Sequence, residues 1–186
     1  ETIYGRNTGN FQAVSALATL AFDYPRRAEL FRGELESLLL MAREQHRDPL
    51  DYQGSYAGAL GLPQFLPSSV RNYAVDFDGD GQIDLLGSPK DAIGSVARYM
   101  QMHGWEAGGP VAVRASLDSD TNLAPLLAKD ITPAFDSATL ASHGVRAMSS
   151  AEGAGKAAFV ELVTPGQDSE YWLGYQNFYV ITRYNR

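Results

Sequence analysis

The sequence contains no cysteine, and this absence excludes disulfide bridges, cysteine nucleophiles and thiolate metal sites. It also lacks any tract of clustered Lys and Arg: 15 basic residues stand against 22 acidic ones, and the 186-residue chain has a formal net charge of −7 at pH 7. Nucleic acids and anionic membranes are recognised by clustered basic side chains, so neither is an expected partner. No continuous apolar stretch of the chain approaches the length of a transmembrane helix.

Two common kinds of catalytic site are missing as well. The glycines of the segment 54–61 follow no predicted strand and precede no Lys-Ser or Lys-Thr pair, so they do not form a phosphate-binding loop. None of the three histidines lies near a nucleophile-elbow pattern, which argues against a serine hydrolase triad.

The pattern of apolar residues predicts an α+β protein that is predominantly α-helical, with one substantial core and a small appended subdomain. We predict helices over 10–24, 25–45, 68–74, 89–103, 123–129 and 137–143, and β-rich segments over 111–115, 157–164 and 171–183. The turn residues at 165–168 predict a hairpin between the last two segments. A Gly- and Pro-rich cluster predicts a boundary between a larger part, 1–106, and a smaller α/β part, 107–186.

An acidic loop gives the first chemical signal. Asp76, Asp78 and Asp80 stand at alternate positions, followed by Gly81 at a sharp turn and by Gln82, whose backbone carbonyl would face inward. These are the residues that an EF-hand requires at its first seven positions, where hard oxygen ligands surround a calcium ion. The loop therefore predicts a calcium site within 76–91.

The loop departs from a standard EF-hand at its twelfth position, where Gly87 has no carboxylate to offer. Asp84 and Asp91 are the two candidates to complete the calcium shell, and Asp91 falls in the first turn of a predicted helix. An Asp- and Gly-rich surface turn without an ion is the alternative interpretation. Five aspartates within sixteen residues repel one another, and this repulsion favours the calcium site.

Several long motifs together resemble one family. They are ETIYG (1–5), GSYAGALG (54–61), PQFLPSS (63–69), YAVD (73–76) and NFYVITRYNR (177–186). They resemble the membrane-bound lytic transglycosylase B family, which is family 103 of the glycoside hydrolases, and the likeness spans essentially the whole chain. The resemblance implies a lysozyme-like catalytic core that cleaves the β-1,4 bond between MurNAc and GlcNAc in peptidoglycan and leaves a 1,6-anhydro-MurNAc end.

The resemblance also implies roles for individual residues. Glu1 is the expected sole catalytic acid and base. The expected substrate-binding residues line a cleft near Glu1, to which the segment 177–186 returns: Ser55, Tyr56, Gln64, Phe65, Tyr184 and Asn185. The expected ligands of a structural calcium ion, which has no part in catalysis, are Asp76, Asp78, Asp80, Gln82 and Asp91.

A single carboxyl group suffices for this chemistry. Most glycosidases need two carboxylates, whereas here Glu1 would protonate the leaving oxygen, the substrate's N-acetyl group would stabilise C1, and Glu1 would then deprotonate the sugar's own C6 hydroxyl. Two alternatives stay open: a muramidase that transfers to water, and an inactive, calcium-stabilised peptidoglycan-binding module.

The resemblance places the protein in the bacterial periplasm, either soluble or tethered to the outer membrane by a part not present in this chain. We expect the chain to be a segment of a longer protein. The expected partners are peptidoglycan glycan strands, with cell-wall synthesis enzymes as further candidates, and the expected oligomeric state is a monomer.

Overall fold

The computed structural model describes residues 5–119, 121–151 and 153–184. Glu1 and Asn185, both predicted site residues, lie outside the described residues. The chain forms two compact units, one ending at Tyr99 and the other beginning at Met100. The sequence predicts a boundary further along, between 106 and 107.

The first unit is built mainly from helices. Their bounds are Ala13–Asp23 (α1), Ala28–Glu44 (α2), Pro67–Tyr73 (α3) and Pro89–Met102 (α4), the last of which continues past the boundary. Two short strands, Phe11–Gln12 (β1) and Gln53–Gly54 (β2), pair antiparallel. Helices α1 and α2 pack on each other and bury Leu17 and Leu38 completely. All four predicted helices of this unit are confirmed, although the second begins after a 3-10 turn at Pro25–Arg27.

A buried carboxylate joins α2 to α3. Glu34 of α2 is only 5% exposed, and it accepts hydrogen bonds from the backbone N–H of Ser68 at 2.9 Å and from the Ser68 hydroxyl at 2.7 Å. Because α3 begins at Pro67, which has no N–H, the Ser68 amide is the first of the helix's donors without an intrahelical acceptor. Glu34 satisfies that donor and places negative charge at the positive end of α3.

We expect Glu34→Ala to lower the free energy of unfolding by about 2–4 kcal/mol, because it removes two hydrogen bonds to a buried acceptor and leaves the Ser68 amide unsatisfied. Urea unfolding followed by circular dichroism measures this difference. Glu36→Ala, an exposed site on the same helix, is the matched control and should change stability by less than about 0.5 kcal/mol. Equal effects of the two substitutions would contradict the capping role.

The second unit is an antiparallel four-stranded sheet accompanied by short helices. The strands are Ala112–Leu117 (β3), Val145–Ala147 (β4), Ala158–Leu162 (β5) and Glu170–Gly174 (β6), in the spatial order β4-β3-β6-β5. The helices are Ala124–Leu127 (α5), Ser137–Ser142 (α6) and Gln176–Tyr184 (α7). The predicted hairpin between β5 and β6 is confirmed by their antiparallel pairing. The core is an apolar cluster that includes Leu126, Phe159 and Leu173.

The prediction of a β-rich segment over 171–183 is wrong in its second half, which forms α7. Locally, Val180 and the two β-branched residues after it favour a strand. In the fold, Val180 and Asn177 lie one helical turn apart and are both fully buried. The Asn177 carboxamide accepts from the Glu106 N–H at 2.8 Å and donates to the carbonyls of Glu106 and Gly109 at 2.8 and 3.0 Å. These tertiary contacts outweigh the local preference.

Candidate functional site

The acidic loop folds around the carboxylate of Asp76. One of its oxygens accepts from the backbone N–H groups of Gly79 and Asp80, at 2.7 and 3.1 Å, and the other accepts from Gly81 at 2.8 Å. Gly79 and Gly81 adopt φ angles of 77° and 92°, in the left-handed region that favours glycine. The turn that the sequence pattern predicts is therefore present, with its first aspartate at the centre.

Asp91 closes the loop from the first turn of α4. It is 1% exposed, and its two carboxylate oxygens accept from the backbone N–H groups of Phe77 and Asp84, each at 2.9 Å. The Asp84 amide, ahead of the Phe77 amide, holds the pKa of Asp91 below its ordinary value against the opposing effect of burial. Asp91 is thus a charged side chain held at a defined place.

Three carboxylates come together at this loop. One oxygen from each of Asp76, Asp78 and Asp91 lies within 4.8 Å of the others. Calcium binds oxygen at about 2.3–2.6 Å, so ligands on opposite sides of one ion stand about 5 Å apart. The observed spacing fits ligands that share an ion. Of the other predicted ligands, Asp80 lies outside this group of three and accepts from the Gln82 N–H at 2.8 Å.

The structure separates the two residues that the sequence left as candidates for the last ligand. Asp91 joins the group of three, whereas an oxygen of Asp84 accepts from the N–H groups of Leu86 and Gly87, at 2.9 and 2.8 Å, within its own turn. Ser88 is a further residue of this site that the acidic-loop pattern does not single out: its hydroxyl accepts from the Asp91 N–H at 3.2 Å. The sequence contains a signal for this role, because Ser88 is followed directly by Pro89 and, three residues after Ser88, by Asp91. This spacing is typical of the start of a helix.

The glycine-rich segment forms a tight, internally bonded turn. The Ser55 hydroxyl oxygen accepts from the N–H groups of Ala57 and Ala59, at 3.2 and 3.1 Å, and the Ser55 N–H donates to the Ala59 carbonyl at 2.9 Å. A Cβ on Gly54 would lie 2.2 Å from the same carbonyl oxygen, so the turn requires glycine there. Ser55 is half-buried and shapes this turn.

Gln64 ties the start of the described chain to this segment. Its side-chain amide donates to the carbonyls of Thr8 and Gly61, at 3.1 and 2.9 Å. Close by in sequence, a Cβ on Gly9 would lie 2.2 Å from the Gly54 carbonyl oxygen. The residues that follow the predicted catalytic motif therefore run directly against the glycine-rich turn.

The prediction that Phe65 binds substrate is corrected by its position. Its side chain is 2% exposed, and its ring centroid lies 5.8 Å from that of Tyr99, within the core. A side chain so enclosed presents no face to a ligand. Tyr56, the other predicted aromatic of this segment, is 75% exposed and accessible.

The remaining predicted residues belong elsewhere in the chain. Tyr184 is half-buried and ends α7, in the second unit. The predictions for Glu1 and Asn185 fall outside the described residues and stay predictions.

Gln64 has a φ angle of 53°, which is unusual for a residue with a side chain. Gln64→Ala and Gln64→Gly both delete the amide, yet glycine adopts this angle without strain. We therefore expect the Gly variant to have a free energy of unfolding about 1 kcal/mol higher than the Ala variant, measured by urea unfolding. Ala74→Gly, at a φ of −64°, is the control and should be destabilising. A Gly variant less stable than the Ala variant would contradict strain at position 64.

A family model described as the Transglycosylase SLT domain matches residues 1–186. The chain belongs to this family. It is 48% identical over 185 residues to the membrane-bound lytic murein transglycosylase B of Escherichia coli strain K12, a match that covers 100% of this chain and 49% of that relative. The chain thus spans about half the length of the curated relative.

Solved structures agree with this assignment. The soluble lytic transglycosylase SltB1 of Pseudomonas aeruginosa matches with a TM-score of 0.86 and 49% identity, over 100% of this chain and 61% of that one. An Escherichia coli lytic transglycosylase in complex with calcium matches with a TM-score of 0.79 and 45% identity, over 98% and 56%. SltB3 of Pseudomonas aeruginosa, in complex with NAG-anhNAM-pentapeptide, matches with a TM-score of 0.77 and 32% identity, over 98% and 48%.

These comparisons confirm the resemblance read from the motifs and the predicted α+β fold with a lysozyme-like core. The curated relative is described as membrane-bound. Within the part of this chain that the structure describes, no helix combines the length and apolar composition needed to cross a bilayer.

Proposed function

We propose that this chain is the catalytic part of a peptidoglycan lytic transglycosylase, which cleaves the β-1,4 bond between MurNAc and GlcNAc and forms 1,6-anhydro-MurNAc ends. The observation that carries the proposal is that the Transglycosylase SLT domain model and a lytic murein transglycosylase both match the chain over its whole length. The complex of SltB3 with a ligand that contains an anhydro-muramoyl sugar supports the proposed product.

In the proposed mechanism Glu1 acts twice. As an acid it gives its proton to the glycosidic oxygen while the bond to C1 breaks, and the substrate's N-acetyl oxygen stabilises the electron-poor C1. As a base the Glu1 carboxylate then takes the proton of the C6 hydroxyl, and O6 attacks C1 to close the anhydro ring. The segment 52–66, against which residues 5–9 run, contains no Asp or Glu, in keeping with chemistry that uses one carboxyl group.

The hydrogen bonds inside the protein indicate what Ser55 and Gln64 can offer a sugar. Gln64 uses its amide N–H groups on Thr8 and Gly61, so its side-chain oxygen is the group left to accept from a hydroxyl. Ser55 accepts twice through its oxygen, so its hydroxyl hydrogen is left to donate, for instance to an N-acetyl carbonyl. The exposed Tyr56 ring offers an apolar face for a sugar, and we keep Tyr184 and Asn185 as proposed contacts.

We propose that the loop 76–91 holds a structural calcium ion. Asp76, Asp78 and Asp91 supply hard oxygen ligands at a suitable spacing, and Asp80 and Gln82 are the proposed additional ligands. The calcium complex of the Escherichia coli relative supports this site. An ion here would neutralise the aspartates and hold α4 to the loop, and no step of the proposed mechanism uses it.

The proposed partners are peptidoglycan glycan strands in the bacterial periplasm, supported by the murein-directed, membrane-bound relative. We propose that the protein is there either soluble or tethered to the outer membrane, and its relative is described as membrane-bound. Cell-wall synthesis enzymes and a monomeric state are further proposals that rest on the family resemblance.

Digestion of purified sacculi, with mass spectrometry of the released muropeptides, tests the proposed function. We expect muropeptides that end in anhydro-MurNAc, which lacks one water relative to a hydrolysed end. Release of hydrolysed ends would identify a muramidase. Binding to sacculi without release, at all enzyme concentrations, would identify a binding module and overturn the proposal.

A further inference from the structure

Lys90 is the only basic residue of the acidic loop. The segment 76–91 contains five aspartates and this one lysine, so its formal charge is −4. The Lys90 ammonium lies 3.9 Å from Oδ2 of Asp78, which belongs to the group of three carboxylates. The loop therefore has a cation of its own beside the proposed calcium site.

The positive charge of Lys90 acts on two of the three carboxylates. The Asp78 oxygen that faces Lys90 also accepts from the Ser88 hydroxyl at 3.3 Å, so the two groups converge on one atom. The pKa of Asp91 is lowered first by the Asp84 amide, and the charge of Lys90 lowers it further. Lys90 thus already stabilises the ionised form of residues that are proposed to bind calcium.

The position of Lys90 is unfavourable for the helix to which it belongs. It is the second residue of α4, and the N-terminal end of an α-helix bears a partial positive charge that favours Asp and Glu over Lys. The ion pair with Asp78 offsets this repulsion. The Lys90 side chain is 73% exposed, so its flexible stem allows the ammonium to move into solvent when another cation arrives.

We propose that Lys90 is a competing cation that sets the calcium affinity of this loop. In the calcium-free loop its ammonium offsets part of the repulsion among the aspartates, whereas in the calcium-bound loop it is repelled by an ion of charge +2. Lys90 therefore stabilises the calcium-free form more than the bound form and lowers the affinity for calcium. The affinity of EF-hand loops depends on the charge of their ligands in the same sense. The inference rests on the calcium site proposed above.

Calorimetric titration of the protein with CaCl2, at an ionic strength of about 0.1 M, tests the role of Lys90. We expect Lys90→Gln to lower the dissociation constant about three- to tenfold, because it removes the charge and keeps a long polar side chain. Lys90→Arg keeps the charge, and its dissociation constant should stay within about twofold of the wild-type value. The gain in Lys90→Gln should shrink at about 1 M salt, where the Debye length is about 3 Å.

Terbium(III) provides a second probe. The gain in affinity of Lys90→Gln should be larger for this trivalent ion than for calcium, because electrostatic repulsion grows with the charge of the ion. A change in the shape of the loop would not follow the charge of the ion in this way.

Two exposed cations outside the loop serve as matched controls. Arg98→Gln removes a positive charge about two turns further along α4, and Lys129→Gln removes one in the second unit. Because both lie beyond the acidic loop, each should change the dissociation constant for calcium by less than about twofold at about 0.1 M salt.

The possible failures of this inference and of the proposed function are distinguishable. A dissociation constant of Lys90→Gln that equals or exceeds the wild-type value, or a Lys90→Arg variant that behaves like Lys90→Gln, would overturn the role of Lys90 and leave the calcium site standing. Absence of calcium binding to the wild-type protein would overturn the calcium site and this inference together. Release of anhydro-muropeptides is a separate measurement, and it tests the proposed reaction alone.

Discussion

Glu1→Gln is expected to reduce the rate of glycan-strand cleavage by at least about a thousandfold, because it removes the proton donor and the later base while the side chain keeps its shape. The substitution should be made within a longer polypeptide, so that Glu1 is linked through an amide and carries no α-amino charge beside its carboxyl group. The measurement is the rate at which anhydro-muropeptides appear from sacculi, compared at equal protein concentration.

Binding of the Glu1→Gln variant to sacculi provides the control for folding and recognition. It should match the wild-type protein, and so should the melting temperature. A variant that keeps more than about a tenth of the wild-type rate would show that another residue supplies the proton. The proposed single-carboxyl mechanism would then be wrong even if the product analysis still showed anhydro ends.

Calcium is expected to raise the melting temperature, because it binds the folded loop and not the unfolded chain. At a concentration about one hundred times the dissociation constant the stabilisation is about 2.7 kcal/mol. For a protein of this size, that corresponds to a rise of about 5–11 °C. Asp76→Asn should abolish the dependence on calcium, since this residue both centres the loop and belongs to the group of three carboxylates.

Asp84→Asn is the matched control for the calcium experiment. The Asp84 carboxylate accepts hydrogen bonds within its own turn and lies outside the group of three carboxylates. The melting temperature of this variant should therefore still rise with calcium. Loss of the dependence in this variant and its retention in Asp76→Asn would contradict the assignment of ligands.

Chelation at a temperature where the protein stays folded should cost little activity. Complete loss of turnover in EDTA with unchanged circular dichroism would place the ion in the mechanism.

The acidic loop shows which features of a site can be predicted from the spacing of neighbouring residues and which cannot. The positions of Asp76, Gly79 and Gly81 are set by neighbours within a few residues, so their turn could be predicted from spacing alone. The choice between Asp84 and Asp91 could not, because it depends on how the first turn of α4 returns to the loop. That return is made by hydrogen bonds between residues up to fourteen positions apart.

The glycine-rich segment shows the opposite case. Its composition and motif marked it as functional, yet residue type could not tell which side chains face outward. Phe65 was expected at the substrate surface and is buried against Tyr99, thirty-four residues away in sequence. Gln64 is predicted to bind substrate, and the structure adds that its side-chain amide donates to the carbonyls of Thr8 and Gly61. Both outcomes are set by long-range contacts.

The sequence by itself determined the family, the α+β class, the four helices of the first unit and the residues of the acidic loop. These features follow from motifs, from helical periodicity and from turn chemistry, all of which act over a few neighbouring residues. Only the tertiary structure decided that 176–184 forms a helix and that Asp91 reaches the loop. Such features depend on burial and on hydrogen bonds between residues that are distant in sequence. Where these contacts outweigh local preferences, the conformation cannot be predicted from a short stretch of sequence.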